Sequence, residues 1–408
     1  MTELFLGTFE VTGKQYTVIE EDYLTLPDDI PANLLIKAAK HMAIDRTNRR
    51  DYKPKTKTSR SPSLLYPQFD ANVDDPVERY TSTAIIFDGN NLAHRCRHSY
   101  NLSHKGQDVS ILYGVLNVMK ATVRKYDNVH MIAVCWDWGI PEYRKATLPE
   151  YKAHRSHADD DDYDDFLRQV KLLDDILPDF GVLSLRLKNC EADDLMASLA
   201  SLTNGDCLNV LVSNDKDLLQ CVNYHTVVEN TKEVVNMANF ERLVGVAQAD
   251  YMTYRAMVGD SSDGLPGIFG IGDTNASKLI ELYSSPSMMV NVALGMNTEA
   301  EPMTEKMAEK IKAFGIKGFG DMYKVMRLDY DRVGARSHIL GEFEYWEPYN
   351  AMRAVAFLKK WLFVSLMDPQ FYNLFKELKV PKALVKQDLG HQVRTPRFCA
   401  SKEPIIMS

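Results

Sequence analysis

Three kinds of hydrophobic and polar pattern follow one another along this chain. In residues 1–45, FLGTFEVTGKQYTVIEEDY alternates in the manner of a hairpin, and NLLIKAAKHMA has the spacing of a short helix. Residues 46–80 lose the pattern: RTNRRDYKPKTKTSR is polar throughout, contains Pro54, and reads as an exposed arm or linker. From residue 81 short apolar runs rich in β-branched residues predict buried strands. They are TAIIFD (83–88), HMIAVCWD (130–137), 182–187, LNVLVS (208–213) and HTVVEN (225–230). Helical spacing fills the gaps at 89–104, 109–126, 162–177 and 191–202. Strands that alternate with helices imply parallel strands joined by crossovers. The fold class is therefore α/β, with a central, mostly parallel sheet flanked by helices. Beyond residue 237 the pattern is mostly helical, interrupted by a Gly-rich stretch at 259–272, and AMRAVAFLKKWLFVSLMD (351–368) predicts a core helix of this second region. The expected organisation is an extension (1–45), an arm (46–80), an α/β core (81–236), a helical region (237–380) and a tail (381–408).

Bulk properties exclude several classes. The chain has 408 residues, 45% hydrophobic and 25% charged, enough to bury a large core. No run of 18 apolar residues is present and the first residues lack a basic then apolar leader pattern, so neither a membrane partner nor secretion is expected. The six cysteines are scattered without a CxxC pair, which fits reduced thiols and gives no zinc site. The expected compartment is the cytoplasm. The net charge of −8 argues, taken alone, against a nucleic-acid partner.

The acids sit where strands end. Asp88 closes the first strand, Asp137 the second, and Asp215 and Asp217 follow LNVLVS. Open parallel sheets place their sites at the carboxyl ends of strands, so acids distant in sequence can converge on one crevice. Glu191, Asp193 and Asp194 open a helix, and Asp260 and Asp263 lie in VGDSSDGLPG. Any one such Asp also serves as a helix cap or turn residue. Five clusters at consistent topological places favour a shared role. Nine carboxylates in one cleft repel unless cations are bound, and oxygen-only ligands suit Mg²⁺ or Mn²⁺. Two such ions can activate a water and stabilise the leaving oxygen of a phosphodiester.

With these residues in view, the chain resembles the 5′-nuclease family: flap endonucleases, bacteriophage 5′→3′ exonucleases and the 5′-nuclease domain of bacterial DNA polymerase I, a PIN-like fold. The resemblance rests on IIFDGNNLAHR (85–95), VCWDWGIPEYRKATLPEYKAHR (134–155), EADDLMA (191–197), VSNDKDLLQ (212–220) and VGDSSDGLPGIFGIGDTNASKLI (258–280), in matching order and spacing. It covers residues 83–285 well and the helical region to 375 loosely. It implies that Asp88, Asp137, Glu191, Asp193, Asp194, Asp215, Asp217, Asp260 and Asp263 form the metal-binding set, for two or more Mg²⁺ or Mn²⁺ ions. It implies that Lys152 and Arg155, in LPEYKAHR, reach the scissile phosphate from a helical arch near 140–178. Arg can grip a phosphate with two parallel hydrogen bonds and Lys supplies a point charge, so both stabilise charge that develops in cleavage. Tyr151 is placed to stack on a base and Arg95 matches a further phosphate contact.

The Gly-rich segment fits a helix–hairpin–helix pattern, a helix–three-turn–helix element at 258–285. Gly267, Gly270 and Gly272 let the backbone approach a phosphate, the amides opening the next helix face it, and Lys278 adds charge. In the family such an element grips duplex DNA by its backbone, with K⁺ as the implied helper. A tight turn between two helices is the plainer reading. Where the family has Asn-Ile-Pro after its last Asp, this chain has Gly264-Leu265-Pro266, which alters a turn residue and no ligand. The six Asp of 159–165 read as a helix N-terminus favoured by its dipole, with steering of single strands as the sharper alternative.

The resemblance implies a structure-specific, metal-dependent 5′→3′ exonuclease and flap endonuclease acting on 5′ flaps, nicks, duplex ends or RNA–DNA hybrid, for primer removal. Replication proteins are the implied partners and a monomer the implied state. Rival readings are a catalytically inactive junction-binding protein and a PIN-like ribonuclease. The first predicts missing acids or a missing Lys152, and the second lacks the hairpin element. The charge also looks different in this light. Without the nine acids the balance is +1, and without the six Asp of 159–165 it is +7. The acidity is concentrated in one cleft and one run.

Overall fold

The computed structural model describes residues 5–11, 14–19, 82–153, 163–283, 285–297, 299–328, 333–344, 346–367 and 369–379. Contacts divide the chain into two units, residues 1–64 and 65–408. The first holds an antiparallel hairpin of β1 (Phe5–Val11) and β2 (Lys14–Ile19), in agreement with the alternation there. The expected helix at NLLIKAAKHMA, the basic arm and the tail lie outside the described residues.

The second unit is built on a six-stranded sheet. Its strands are β3 (Thr83–Asp88), β6 (Val129–Trp136), β7 (Leu183–Arg186), β8 (Leu208–Val212), β9 (Thr226–Glu229) and β10 (Val234–Val235), in the order β10-β9-β8-β3-β6-β7. All neighbours pair in parallel except β10, which returns antiparallel on β9. The sheet is therefore mostly parallel, as the sequence pattern implied. The mostly apolar strands TAIIFD and LNVLV are buried along their whole length, because helices cover both faces of such a sheet.

Helices α1 (Gly89–Ser99), α2 (Ser110–Val123), α3 (Glu142–Thr147), α4 (Tyr163–Ile176) and α5 (Ala192–Leu202) connect the strands, with the short pair β4 (Ser103–His104) and β5 (Gln107–Asp108) between α1 and α2. One face carries Ile85, Phe87, Ile132 and Val134 against α2 and α4. The other carries Ile86, Ala133, Cys135 and Leu211 against α5. The helical region comprises α6 (Phe240–Val244), α7 (Tyr251–Val258), α8 (Asp273–Leu282), α9 (Pro286–Ala293), α10 (Glu305–Met326) and α11 (Ala335–Glu344). A third cluster joins Met257, Ile268, Ile271, Ile311 and Phe319 of this region to Ile140 and Tyr151 beside α3.

The segment 351–368 departs from expectation in two ways. It forms α12 (Ala351–Lys360) and then stops, because Leu362 takes a left-handed φ of 56°. The Phe363 amide bonds the Leu358 carbonyl at 3.0 Å and the Leu362 amide bonds that of Lys359 at 3.2 Å, a Schellman ending without glycine. Its apolar face, with Ala354, Phe357 and Leu358, also joins the core cluster on one face of the sheet rather than that of the helical region, as does α13 (Pro369–Lys376) through Phe371 and Phe375.

Candidate active site

Two facts of parallel architecture bring the acids together. β3 lies between β8 and β6, so the loops leaving their carboxyl ends are neighbours. Each acid also has a local structural task. Asp88 caps α1, its Oδ1 accepting the Asn91 amide at 3.0 Å, while its Oδ2 accepts the Ser213 hydroxyl at 2.7 Å across the strand ends. Asp137 Oδ1 accepts the Ala192 amide at the start of α5, 2.7 Å away, and its own amide donates to Asn90 Oδ1 at 3.0 Å. Asp215 and Asp260 each cap a 3-10 turn, at 216–221 and 261–263. The capping alternative raised by the sequence is thus present, and the same residues converge as well.

The acids are interleaved with cations: two arginines that the sequence reading missed, and Lys152, which it named. Arg144 of α3 is 1% exposed and forks onto Asp194, its Nη1 and Nη2 each 2.8 Å from one carboxylate oxygen, and it also bonds Glu191. Arg255 of α7 bridges Asp217 at 2.7 Å and Asp260 at 3.0 Å. Lys152 bonds Glu191 and lies 3.8 Å from Asp263. Either arginine could have been suspected on one ground: buried acids in such number demand buried positive charge. Oxygens of Glu191, Asp193 and Asp194 lie within 4.8 Å of one another.

Burial drives the electrostatics. It pushes the Asp88 carboxyl up to about 7, with the charge of Asp137 adding to it and the Asn91 amide and Ser213 hydroxyl opposing. Burial and the Asp215 charge push Asp217 to about 6 despite Arg255. Asp193 is raised well above the usual carboxylate range by burial and by the charges of Asp194 and Glu191. For Glu191 burial acts upward too, but Lys152 and Arg144 outweigh it and hold the carboxyl below its ordinary value. Buried, oxygen-only carboxyls, several of them raised, are what a hard divalent cation neutralises, so the donor set fits such an ion.

Two sequence expectations in the turn after α3 meet different outcomes. Tyr151 does not offer its ring to a base: the side chain is 3% exposed in the third core cluster, and its hydroxyl donates to Glu191 at 3.2 Å. The aromatic ring is more favourably buried than exposed, and its hydroxyl finds a carboxylate. Lys152 sits at the cleft with a left-handed φ of 53°, its amide donating to the Asp263 carbonyl at 2.9 Å. Gly264 explains the departure from Asn there: with φ at 70°, a Cβ would lie 2.5 Å from the Glu150 carbonyl oxygen. Arg155 and Asp159–Asp162 lie outside the described residues, while Asp164 and Asp165 open α4. Arg95 is half-buried on α1.

The Gly-rich segment joins α7 to α8. Gly267 has φ 57°, and a Cβ there would lie 2.6 Å from both the Gly259 amide nitrogen and the Met257 carbonyl oxygen. The Ile268 amide bonds that carbonyl at 2.7 Å, which locks the turn against the end of α7. Gly270 has φ 71° and its carbonyl accepts Lys310 Nζ at 2.9 Å. Gly272 precedes α8, with open space around it, and Lys278 is exposed on that helix. Phe269 stands out from the turn at 93% exposure. No helix among the described residues is long and apolar enough to cross a membrane.

A parallel α/β sheet that gathers buried carboxylates, Arg and Lys at its strand ends defines an α/β protein of the acidic-cleft class. Within that class, residues 83–245 match the family model of the 5′-3′ exonuclease N-terminal, resolvase-like domain. DNA polymerase I of Mycobacterium tuberculosis (strain ATCC 25618 / H37Rv) is 32% identical over 225 residues, 52% of this chain and 24% of that one. The thermostable DNA polymerase I of Thermus aquaticus is 28% identical over 317 residues, 76% of this chain and 35% of that one. The chain thus spans about a quarter to a third of the length of these curated relatives. In fold it is similar to the T5 D15 protein co-crystallized with metal ions, with TM-score 0.51, 17% identity, and coverage of 69% of this chain and 99% of that one. It is likewise similar to T5 5′-exonuclease with bound divalent zinc, at TM-score 0.50 and 18% identity. Residues 83–245 are thus similar to the 5′-3′ exonuclease N-terminal, resolvase-like domain, and the chain shares the fold of the T5 nuclease structures.

Proposed function

We propose that this protein is a structure-specific 5′-nuclease, a divalent-metal-dependent 5′→3′ exonuclease and flap endonuclease that hydrolyses phosphodiesters in branched or nicked DNA. The observation that carries this reading is the buried acid cleft itself, with Lys152 held between Glu191 and Asp263 at its edge. Asp88, Asp137, Glu191, Asp193, Asp194, Asp215, Asp217, Asp260 and Asp263 would hold two or more Mg²⁺ or Mn²⁺ ions. Such ions supply an activated water and stabilisation of the leaving oxygen.

The chain's own groups do the rest. Lys152 places an ammonium where phosphate charge develops, with Arg155 beyond it on the arch. Tyr151 orients Glu191 by its hydroxyl. Arg255 keeps Asp217 and Asp260 at a fixed separation. Arg95, Lys278 and the Gly267–Gly270–Gly272 turn bind the DNA backbone without reading bases, with K⁺ as an aid at the turn. Flaps, nicks, duplex ends and RNA–DNA hybrid are the substrates, primer removal beside replication proteins the role, and a cytoplasmic monomer the working form.

The test is cleavage of labelled 5′-flap DNA with Mg²⁺, with Asp215→Ala and Lys152→Ala alongside. Cleavage should require the metal and fall on the order of 10²-fold or more in each variant. Binding without metal-dependent cleavage would make the protein a junction-binding module instead. Cleavage of single-stranded RNA but not of flap DNA would assign it to the ribonucleases.

A further inference from the structure

The geometry points to Arg144 as a positioning residue of the acid cleft, and to Asp194 as its counter-ion rather than a metal ligand. The inference rests on the divalent-metal site proposed above and reduces its ligand set. Asp194 is 0% exposed, and both of its carboxylate oxygens are engaged by the guanidinium, each at 2.8 Å. This is the two-pronged geometry in which Arg and a carboxylate hold each other most firmly. A divalent ion on either oxygen would sit against the guanidinium and meet like charge. Asp193, one residue earlier, turns otherwise: it is 8% exposed, and its Oδ1 accepts the Asp194 amide at 2.7 Å.

The rest of the guanidinium explains why a buried cation belongs there. Its Nε donates to the Val325 carbonyl at 2.8 Å and its Nη2 to the Arg327 carbonyl at 3.3 Å. These carbonyls end α10, where a helix leaves acceptors without intrahelical donors and favours a positive charge. Its Nη1 also reaches Glu191. One side chain thus meets all its hydrogen-bonding capacity while joining three elements: the root of the arch, the acid-bearing start of α5 and the end of α10. Displacement of α10 or of the arch root is transmitted to Glu191 and Asp194 by direct bonds.

The test is Mn²⁺ binding to the metal-stripped full chain by titration calorimetry, with Asp193→Asn and Asp194→Asn compared. Asp193→Asn should weaken Mn²⁺ at least tenfold, whereas Asp194→Asn should stay within threefold of the parent with the same number of ions bound. A tenfold or greater loss in Asp194→Asn overturns the assignment. Should that variant not fold, Arg144→Met with Asp194→Leu removes both charges together and preserves apolar volume. Retained ion stoichiometry in this double variant supports the assignment, and a lost ion refutes it. For the positioning role, Arg144→Lys keeps the charge but loses the fork. It should lower kcat on flap DNA at least tenfold, with KM and Mn²⁺ affinity within threefold. Unchanged kcat would overturn that role. If the parent chain fails to cleave flap DNA, the nuclease reading falls, while the Mn²⁺ comparison still decides Asp194.

Discussion

Metal affinity at this cleft should depend steeply on pH, and Asp88 is one of the buried carboxyls that contribute to the dependence. Its carboxyl is 7% exposed at the end of the central strand, and burial next to Asp137 moves it from 3.8 to about 7. The shift of roughly three units corresponds to about 4 kcal/mol in favour of the protonated form. A divalent ion must displace that proton, so apparent affinity falls about tenfold for each pH unit below 7. Between pH 8 and pH 6 Asp88 alone accounts for about tenfold, and Asp217, pushed to about 6, for about a further twofold. The effect on stability has the opposite sign. A carboxyl raised on folding stabilises the metal-free protein fully below its unfolded value of 3.8, and this is lost as pH rises through about 7. The gain in Tm on adding Mn²⁺ should therefore grow from pH 5.5 to pH 8. The assay is calorimetric titration of the metal-stripped chain with Mn²⁺ at pH 6 and pH 8. Ser213→Ala, which removes a donor to the ionised carboxylate, should move the transition to higher pH. Affinities within twofold at the two pH values would refute the reasoning, as would an unaltered slope in Asp88→Asn.

Two further outcomes test other parts of the molecule. Gly267→Ala forces a Cβ to 2.6 Å from backbone atoms of Met257 and Gly259 at a left-handed φ, so it should cost about 1–3 kcal/mol and weaken duplex-DNA affinity by anisotropy while leaving Mn²⁺ affinity unchanged. Phe371→Ala removes a ring that is 0% exposed and packed edge-on to Phe180 and Phe375 at 5.9 and 5.1 Å, so urea denaturation should show a loss of about 3–5 kcal/mol. A small change there would mean that the last helices are not part of the sheet's core.

The sequence by itself determined five of the six strands of the central sheet, though not the short antiparallel β10, and that acids stand at the ends of three of them. An apolar β-branched run such as TAIIFD is suited to burial in a parallel sheet, and Asp88 closes it whatever the strand order. The short range of that information is also its limit. Nothing in FLKKWLFVSL marks the break after Lys360, because Leu362 turns the chain without the glycine that usually signals it. Nothing local to Tyr151 says whether its ring faces solvent or Glu191, a residue 40 positions away.

The tertiary structure decided the rest. It set β3 between β8 and β6, so that Ser213 reaches Asp88 across 125 residues. It brought Arg144 to Asp194 and to the end of α10, 50 and 181 positions on. Local propensity cannot register such pairings, because an arginine on a short helix looks the same exposed or buried. Only the folded arrangement supplies the charges and carbonyls that make its burial favourable.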